Sequence, residues 1–334
     1  MAITRASLLA TTLALAAYSQ SASALNILLT NDDSWSTENI QVLFSKLQAA
    51  GHNVILSAPC TGQSGKGGAI NFMKSVSVDR SKVDEQQACV GDTDTSVAFK
   101  NFVEGTPVMA ALYGIDVLAP EIWGSAPDLL ISGPNEGNNL GYMTNNSGTL
   151  GAANVAIARG VPAVAVSAAT SDADNAAKVA DEVVKLVAKL DASRASGEPL
   201  LPAFTGLNVN TPEDMSNVAG YRFAQVGWNA GGYDVKFAAD LSTDSTTMGY
   251  VAQALLAAGY ATSFEAAYAM AQQQYAGKAG VTFVNDGLVA DDNANSEGVL
   301  LGQGYITIST IQANVQGSQS KDAVTRAKLA SLAE

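Results

Sequence analysis

From residue 25 to about residue 210 the chain alternates between short apolar runs and stretches with helical spacing, and few folds accommodate that order. Leu25-Asn26-Ile27-Leu28-Leu29-Thr30 reads as a strand, and so apolar a run suits one buried on both faces of a parallel sheet. Residues 36–50 place Ile40, Leu43, Phe44 and Leu47 on one helical face, and Gly51 ends that helix. Asn53 to Ala58 is a second strand, which completes a βαβ unit. After a loop and a hairpin, the pattern predicts a helix over Thr106–Leu118 with Pro107 in its first turn, then a strand over Asp128–Ser132. A helix over Thr149–Arg159, a strand over Pro162–Ser167, a helix over Ala173–Leu190 and a strand over Ala203–Asn208 follow. This order predicts an α/β fold: three αβα layers around a Rossmann-like, mostly parallel sheet.

Beyond about residue 212 the chain changes character. Strands are expected over Tyr221–Trp228 and Tyr305–Ile311, and helices over Thr246–Ala258, Ser263–Ala276 and Lys321–Leu332, with a polar loop at Asp291–Glu297. The expected division is residues 1–24, an α/β core over 25–212, a variable accessory or oligomerisation segment over 213–303, and a return strand with a terminal helix over 304–334.

Residues 1–24 have a basic start at Arg5, an apolar run from Leu8 to Ala17, and the small-x-small sequence Ala22-Ser23-Ala24. They read as a secretory signal cut after Ala24, too short to span a bilayer, so the expected location is periplasmic or extracellular with no membrane contact after cleavage. In that oxidising setting the two cysteines, Cys60 and Cys89, form one disulfide; the alternative is a pair of buried thiols.

Composition removes several chemistries. The 31 acidic and 18 basic residues give a net charge of -13, which argues against a nucleic-acid polymer as partner. One histidine, His52, is too few for a zinc finger, and its place between a helix end and a strand favours a capping role over a catalytic triad. Any chemistry must rest on carboxylates, hydroxyls, amides, backbone or metal.

In such sheets ligands bind beyond the carboxyl ends of the strands, so the loops there form one surface. The first strand ends in Asn31-Asp32-Asp33-Ser34. Adjacent carboxylates suit a hard divalent cation, although taken alone the pair is better explained by an Asx turn capping the next helix. The second strand leads into Gly62-Gln63-Ser64-Gly65-Lys66-Gly67-Gly68, which completes neither a P-loop nor a nucleophile elbow and could be a plain surface loop. The Asp128–Ser132 strand runs into Gly133-Pro134-Asn135-Glu136-Gly137-Asn138-Asn139-Leu140-Gly141, and Ser147-Gly148-Thr149 opens a helix. Its N–H groups offer an anion site, or Ser147 or Thr149 simply caps the helix. Three such loops on one face combine a metal site with an anion pocket and point to phosphate chemistry.

These segments carry a family resemblance. Ile27-Leu28-Leu29-Thr30-Asn31-Asp32-Asp33, Gln63-Ser64-Gly65, Glu104-Gly105-Thr106-Pro107, Asp128 to Gly141 and Ser147-Gly148-Thr149-x-Gly151-Ala152-Ala153 resemble, in order, the motifs of the SurE (survival protein E) family of metal-dependent nucleotidases and acid phosphatases. The resemblance spans residues 26–210 and resumes at Gly304-Tyr305-Ile306-Thr307-Ile308; residues 230–300 share little with it. It implies one divalent cation, magnesium or manganese with calcium as a stand-in in crystals, held by Asp32, Asp33, Ser64 and Asn135. It also implies phosphate contacts from Asn139, Ser147, Gly148 and Thr149, a small phosphorylated substrate, and a homodimer or larger homo-oligomer. Catalysis would fall to Asp32 and Asp33, by activating water or by phosphorylation of Asp33. Two departures stand out: Ser34 replaces the family's usual glycine, with the expectation that it narrows the approach to the metal, and Pro134 precedes Asn135. The competing function is an exported protein that captures a phosphorylated or anionic solute without turnover.

Other features carry less. Asp291-Asp292-Asn293-Ala294-Asn295 begins like a calcium loop but lacks the later glycine and glutamate. The sequon Asn145-Asn146-Ser147 would put a glycan over the pocket, so none is expected there. Trp35, Tyr142 and Trp228 are the aromatics considered for stacking a base.

Overall fold

A computed structural model of the protein describes residues 24–94, 96, 98, 101–169, 173–229, 231–232, 234–284 and 293–332. Nearly all of the expected export signal, and Asp291 and Asp292 of the calcium-like loop, lie outside the described residues. The elements in chain order begin with β1 (Asn26–Thr30), α1 (Glu38–Ala49), β2 (Asn53–Pro59), β3 (Val78–Asp79) and β4 (Gln87–Val90). There follow α2 (Pro107–Tyr113), α3 (Ala119–Trp123), β5 (Leu129–Glu136), α4 (Gly148–Ala158), β6 (Ala163–Ala168), α5 (Ala173–Ser193) and β7 (Thr205–Asn210). The later part holds β8 (Gly220–Ala224), β9 (Asp234–Ala238), α6 (Ser245–Ala257), α7 (Phe264–Tyr275), β10 (Gly280–Val284), α8 (Glu297–Gly302), β11 (Tyr305–Gln312) and α9 (Gln319–Lys328).

Nine strands form one sheet in the order β3-β4-β2-β1-β5-β6-β7-β11-β8, and β9 pairs with β10 in a separate antiparallel ribbon. From β4 to β7 every pairing is parallel, while β3 on β4 and β11 on β7 are antiparallel. Because side chains alternate across a strand, β1 divides its apolar residues between two layers. Ile27 and Leu29 join Ile40, Leu43 and Leu47 of α1 and Val179 and Val183 of α5 on one face. Leu28 faces Ala111, Ile115, Leu150 and Ala153 of the opposite helical layer. The three-layer fold expected from sequence is the fold observed. Helix α2 runs through a π turn at Gly114–Leu118 into α3, farther than the apolar spacing predicts. A Cβ at Gly114 would lie 2.6 Å from Leu28, so the missing side chain is what lets this helix lie on β1.

His52 accepts the Leu25 N–H at Nδ1 (3.3 Å), and burial holds its pKa below the usual histidine range. It fixes the start of β1, well away from the strand ends. Cys60 and Cys89 are joined in a disulfide that ties the end of β2 to β4. The bond closes a loop across a sequence separation of 29, and the Ser64 segment lies inside it. In a chain-entropy treatment such a loop contributes about 3–4 kcal/mol. The Cys60→Ser/Cys89→Ser double variant is therefore expected to lose about that much stability in denaturant titrations, with a higher m-value because the unfolded chain expands once the cross-link is gone.

The later segment leaves the sheet and returns to it at one place. The Gln225 N–H donates to the Asn295 carbonyl (2.9 Å), the Glu297 N–H donates to the Gln225 carbonyl (2.8 Å), and Gln225 and Ser296 form an isolated bridge. Between these anchors lie β9, α6, α7 and β10, whose small core is Leu241, Met248 and Ala271. Among the described residues no helix is long and apolar enough to cross a membrane.

Candidate active site

The carboxyl ends of β1, β2, β5, β6 and β7 converge beside the N-terminus of α4. Asn31 sets the first turn: its Oδ1 accepts the Ser34 N–H (3.2 Å) and its Nδ2 donates to the Thr37 hydroxyl (3.2 Å). Ser34 adopts φ +124°, a conformation that explains a preference for glycine there. Its hydroxyl reaches Ser36 (3.2 Å) and the Cys60 carbonyl (3.4 Å). Ser34 is thus engaged by Ser36 and the Cys60 carbonyl at the turn after β1.

Asp32 is buried against α4, and its Oδ1 accepts the Thr149 hydroxyl (2.6 Å). A Cβ on Gly148 would fall 2.7 Å from the Asp32 Cβ and 2.8 Å from Pro107, so only glycine lets helix and carboxylate meet. The Asp33 Oδ2 accepts the Glu136 N–H (2.8 Å), which links the end of β1 to the last residue of β5. Burial raises both carboxyl pKa values. The Thr149 hydroxyl partly offsets the rise at Asp32, and proximity to Asp32 adds to the rise at Asp33, which reaches about 7. Neither forms an ion pair among the described residues.

The Ser64 loop is held to this floor by backbone contacts. Gln63 N–H donates to the Asp32 carbonyl (2.6 Å), and Gly67 N–H donates to the Asn146 carbonyl (3.0 Å). A Cβ on Gly151 would lie 2.1 Å from the Gly67 carbonyl oxygen. Lys66 pairs with Glu104. Asn135 follows the cis Gly133–Pro134 peptide at a register shift between β5 and β6. Its Nδ2 donates to the Gly137 carbonyl (2.5 Å), which leaves the amide oxygen for a ligand.

A cleft of about 530 Å³ opens over these residues, with Asp32, Ser64, Asn135, Asn139 and Ser147 in its wall. The structure thus brings together residues that lie far apart in sequence. Asp33, Gly148 and Thr149 stand behind the wall. Thr149 is fully buried and bonds Asp32, while the Ser147 Oγ accepts the Leu150 N–H (3.3 Å) as the helix cap. The capping alternative therefore describes Ser147. Trp35, Tyr142 and Trp228 do not line this cleft. Trp35 packs on the first core and under Lys82, the Tyr142 hydroxyl donates to Asp234, and Trp228 lies under Lys321.

A buried network behind the wall was not foreseen from sequence. Asn139 donates from Nδ2 to Ser167 (2.8 Å) and Thr149 (3.3 Å), and its N–H donates to the Asn210 Oδ1 (2.9 Å). The Asn139 carbonyl accepts from Asn208 and Asn210, each at 3.1 Å. Asn208 also donates to both carboxyl oxygens of Glu297 (2.9 and 3.0 Å), which is fully buried and whose pKa burial raises to about 7. The available signal was Leu207-Asn208-Val209-Asn210, where polar residues recur with period two in a buried strand.

The donor set fits a hard divalent cation. It offers carboxylate, hydroxyl and amide oxygens, and neither carboxylate forms an ion pair among the described residues; no group of three or more His, Cys, Asp or Glu that could hold a metal occurs there, so Ser64 and Asn135 would have to complete the set.

The description of survival protein SurE matches residues 27–232. The chain is 35% identical over 210 residues to an acid phosphatase of Yarrowia lipolytica, covering 57% of each. It is 32% identical over 188 residues to a 5'-nucleotidase SurE of Lawsonia intracellularis, covering 56% of this chain and 66% of that one. A 5'-nucleotidase SurE of Xanthomonas axonopodis pv. citri is 34% identical over 206 residues, covering 61% and 70% respectively. The chain thus spans less than two thirds of the first two relatives. The SurE protein from Aquifex aeolicus shares the fold, with a TM-score of 0.63 at 22% identity over 91% of this chain and 99% of that chain. Since the matched stretch carries every residue of the cleft floor and exceeds half of the sequence, the chain belongs to the SurE family.

Proposed function

We propose that the protein is an exported, divalent-metal-dependent phosphomonoesterase acting on nucleoside monophosphates or related esters. The observation that carries this reading is the adjacent Asp32–Asp33 pair, which forms no ion pair among the described residues and of which Asp32 stands in the cleft wall beside amide and hydroxyl oxygens. The names of the acid phosphatase and nucleotidase relatives support it. The disulfide supports export, because such bonds persist in oxidising compartments.

Asp32, Asp33, Ser64 and Asn135 would hold the cation. When bound, it supplies Lewis-acid polarisation of the phosphoryl group. The Ser147 turn holds the remaining phosphoryl oxygens at the positive end of α4. The phosphate contact expected of Asn139 is corrected to a positioning role, because its Nδ2 and N–H already donate to Ser167, Thr149 and Asn210. Thr149 fixes Asp32 through its hydroxyl. Asp33, oriented by the Glu136 N–H, would take a proton from the attacking water. The water oxygen bonds to phosphorus, the ester P–O bond breaks, and the alcohol leaves with a proton from solvent.

The test is hydrolysis of a chromogenic phosphomonoester with and without chelator. Turnover is expected to disappear with chelator and to return with magnesium or manganese. A folded, cation-supplied protein that binds phosphate but releases none from the ester would overturn the enzyme reading in favour of solute capture. Sequencing the N-terminus of the exported protein tests the proposed cut after Ala24.

A further inference from the structure

We infer that Tyr250 and Phe283 form the wall that receives the leaving group of the substrate, and that this group is a planar aromatic or heteroaromatic ring. The inference rests on the phosphomonoesterase reading and adds to it the side of the site that selects the substrate. The cleft has two chemically distinct parts: Asp32, Ser64 and Asn135 supply oxygen and amide groups, and Leu140, Met143, Tyr250 and Phe283 supply apolar surface. Its size falls within the range of small-molecule sites and exceeds what a phosphate alone requires.

The two aromatics come from different elements of the segment anchored at Gln225 and Ser296. Register presents both of them. Helix α6 buries Met248 and Ala252 and leaves Tyr250 60% exposed, while β10 buries Thr282 and Val284 and leaves Phe283 48% exposed. They share one support. The Thr282 hydroxyl donates to Asp244 (2.7 Å) at the cap of α6 and lies 2.5 Å from the Thr247 hydroxyl, so β10 is fastened to the first turn of α6. Large, rigid rings held this way lose little freedom on stacking against a ligand ring.

Charge narrows the ligand class. The charged side chains lining the cleft are Asp32 and Glu136, with no lysine or arginine beside them. With Asp32 engaged by the cation, a second phosphate or another anionic leaving group would still meet Glu136 and no lysine or arginine in the wall, which disfavours polyphosphates. A neutral or weakly basic ring meets apolar carbon and two aromatic faces.

The test compares Tyr250→Ala and Phe283→Ala with wild type on 5'-AMP and on glycerol 2-phosphate, in saturating magnesium. Each variant is expected to raise KM for 5'-AMP roughly 10-fold, the scale of one lost base–aromatic stack, with kcat and the glycerol phosphate constants within about two-fold. Tyr250→Phe and Phe283→Tyr are expected to restore the 5'-AMP KM. Equal losses on both esters, or an unchanged KM for 5'-AMP, overturn the inference. So does a change in sedimentation alone, which would assign the aromatics to self-association. Calorimetric titration of the same proteins with 5'-AMP and with inorganic phosphate reads the wall without turnover. A wild type that hydrolyses neither ester but loses 5'-AMP binding selectively in the variants would remove the phosphomonoesterase reading and keep the wall.

Discussion

Replacing Asp33 with Asn is expected to lower turnover by at least about 10³-fold and to make the metal-free protein more stable at neutral pH. The two effects have one origin. Burial and the neighbouring Asp32 raise the Asp33 carboxyl to about 7 in the folded state, against an ordinary value near 3.8. The folded protein therefore binds this proton more tightly than the unfolded chain does. Its stabilising contribution is complete below about pH 3.8 and is lost as pH rises through 7, on the order of 4 kcal/mol. An amide never ionises, so Asp33→Asn removes that loss. Thermal melts between pH 4 and 8 should show the wild type weakening toward neutrality in chelator and the variant much less so. Magnesium or manganese should oppose the decline in the wild type, because a cation binds the ionised pair. A variant as active as wild type would remove Asp33 from the mechanism.

Glu297→Ala is expected to cost about 3 kcal/mol of stability and to lower kcat roughly 10-fold, although Glu297 does not line the cleft. The substitution leaves a cavity beside Asn208 and removes the acceptors that hold its amide, and Asn208 is one of two groups fixing the Asn139 carbonyl. Glu297→Gln keeps the volume and one of the two oxygens that accept from Asn208. The carboxyl is raised from 4.5 to about 7, so its contribution is full below pH 4.5 and is lost as pH climbs through 7. The glutamine variant should therefore keep its activity and exceed the wild type in stability above pH 7, by about 3 kcal/mol at most. Urea titrations at pH 5 and pH 8 separate these outcomes. Equal slopes of stability against pH in wild type and Glu297→Gln would show that the carboxyl does not titrate with folding.

The parallel half of the sheet was readable because its signals are local. Ile27, Leu28 and Leu29 are apolar on both faces, and the residues that end or open the helices, Gly51, Pro107 and Gly160, stand beside the spacing they interrupt. The ribbon of β9 and β10 was missed for the opposite reason. Each strand has five residues, and its partner lies across two helices, so neither reads as half of a hairpin. Residues 221–228 were expected to be a strand throughout, but pairing on β11 ends at Ala224, where Gln225 turns to meet Asn295. The loops of the cleft floor were chosen correctly as neighbours because strand ends share a surface. What lies behind them was not visible. That Thr149 faces Asp32 depends on a contact across 117 positions, and the period-two polar residues Asn208 and Asn210 mark a buried polar strand without naming Asn139 or Glu297 as their partners. The stacking candidates failed similarly: Trp35 and Tyr142 are near the motifs in sequence, whereas Tyr250 and Phe283 reach the cleft from the far segment.

The bridge at Gln225 and Ser296 gives that far segment a modular character. Its two ends already meet, so lengthening or shortening what lies between them changes the closure entropy only logarithmically, and the large sheet need not adjust. The chemical groups on the floor and the rings above it can thus diverge at different rates. A transplant of residues 226–294 between members of this fold, joined at the bridge, should carry preference for the leaving group with it while metal dependence stays with the recipient.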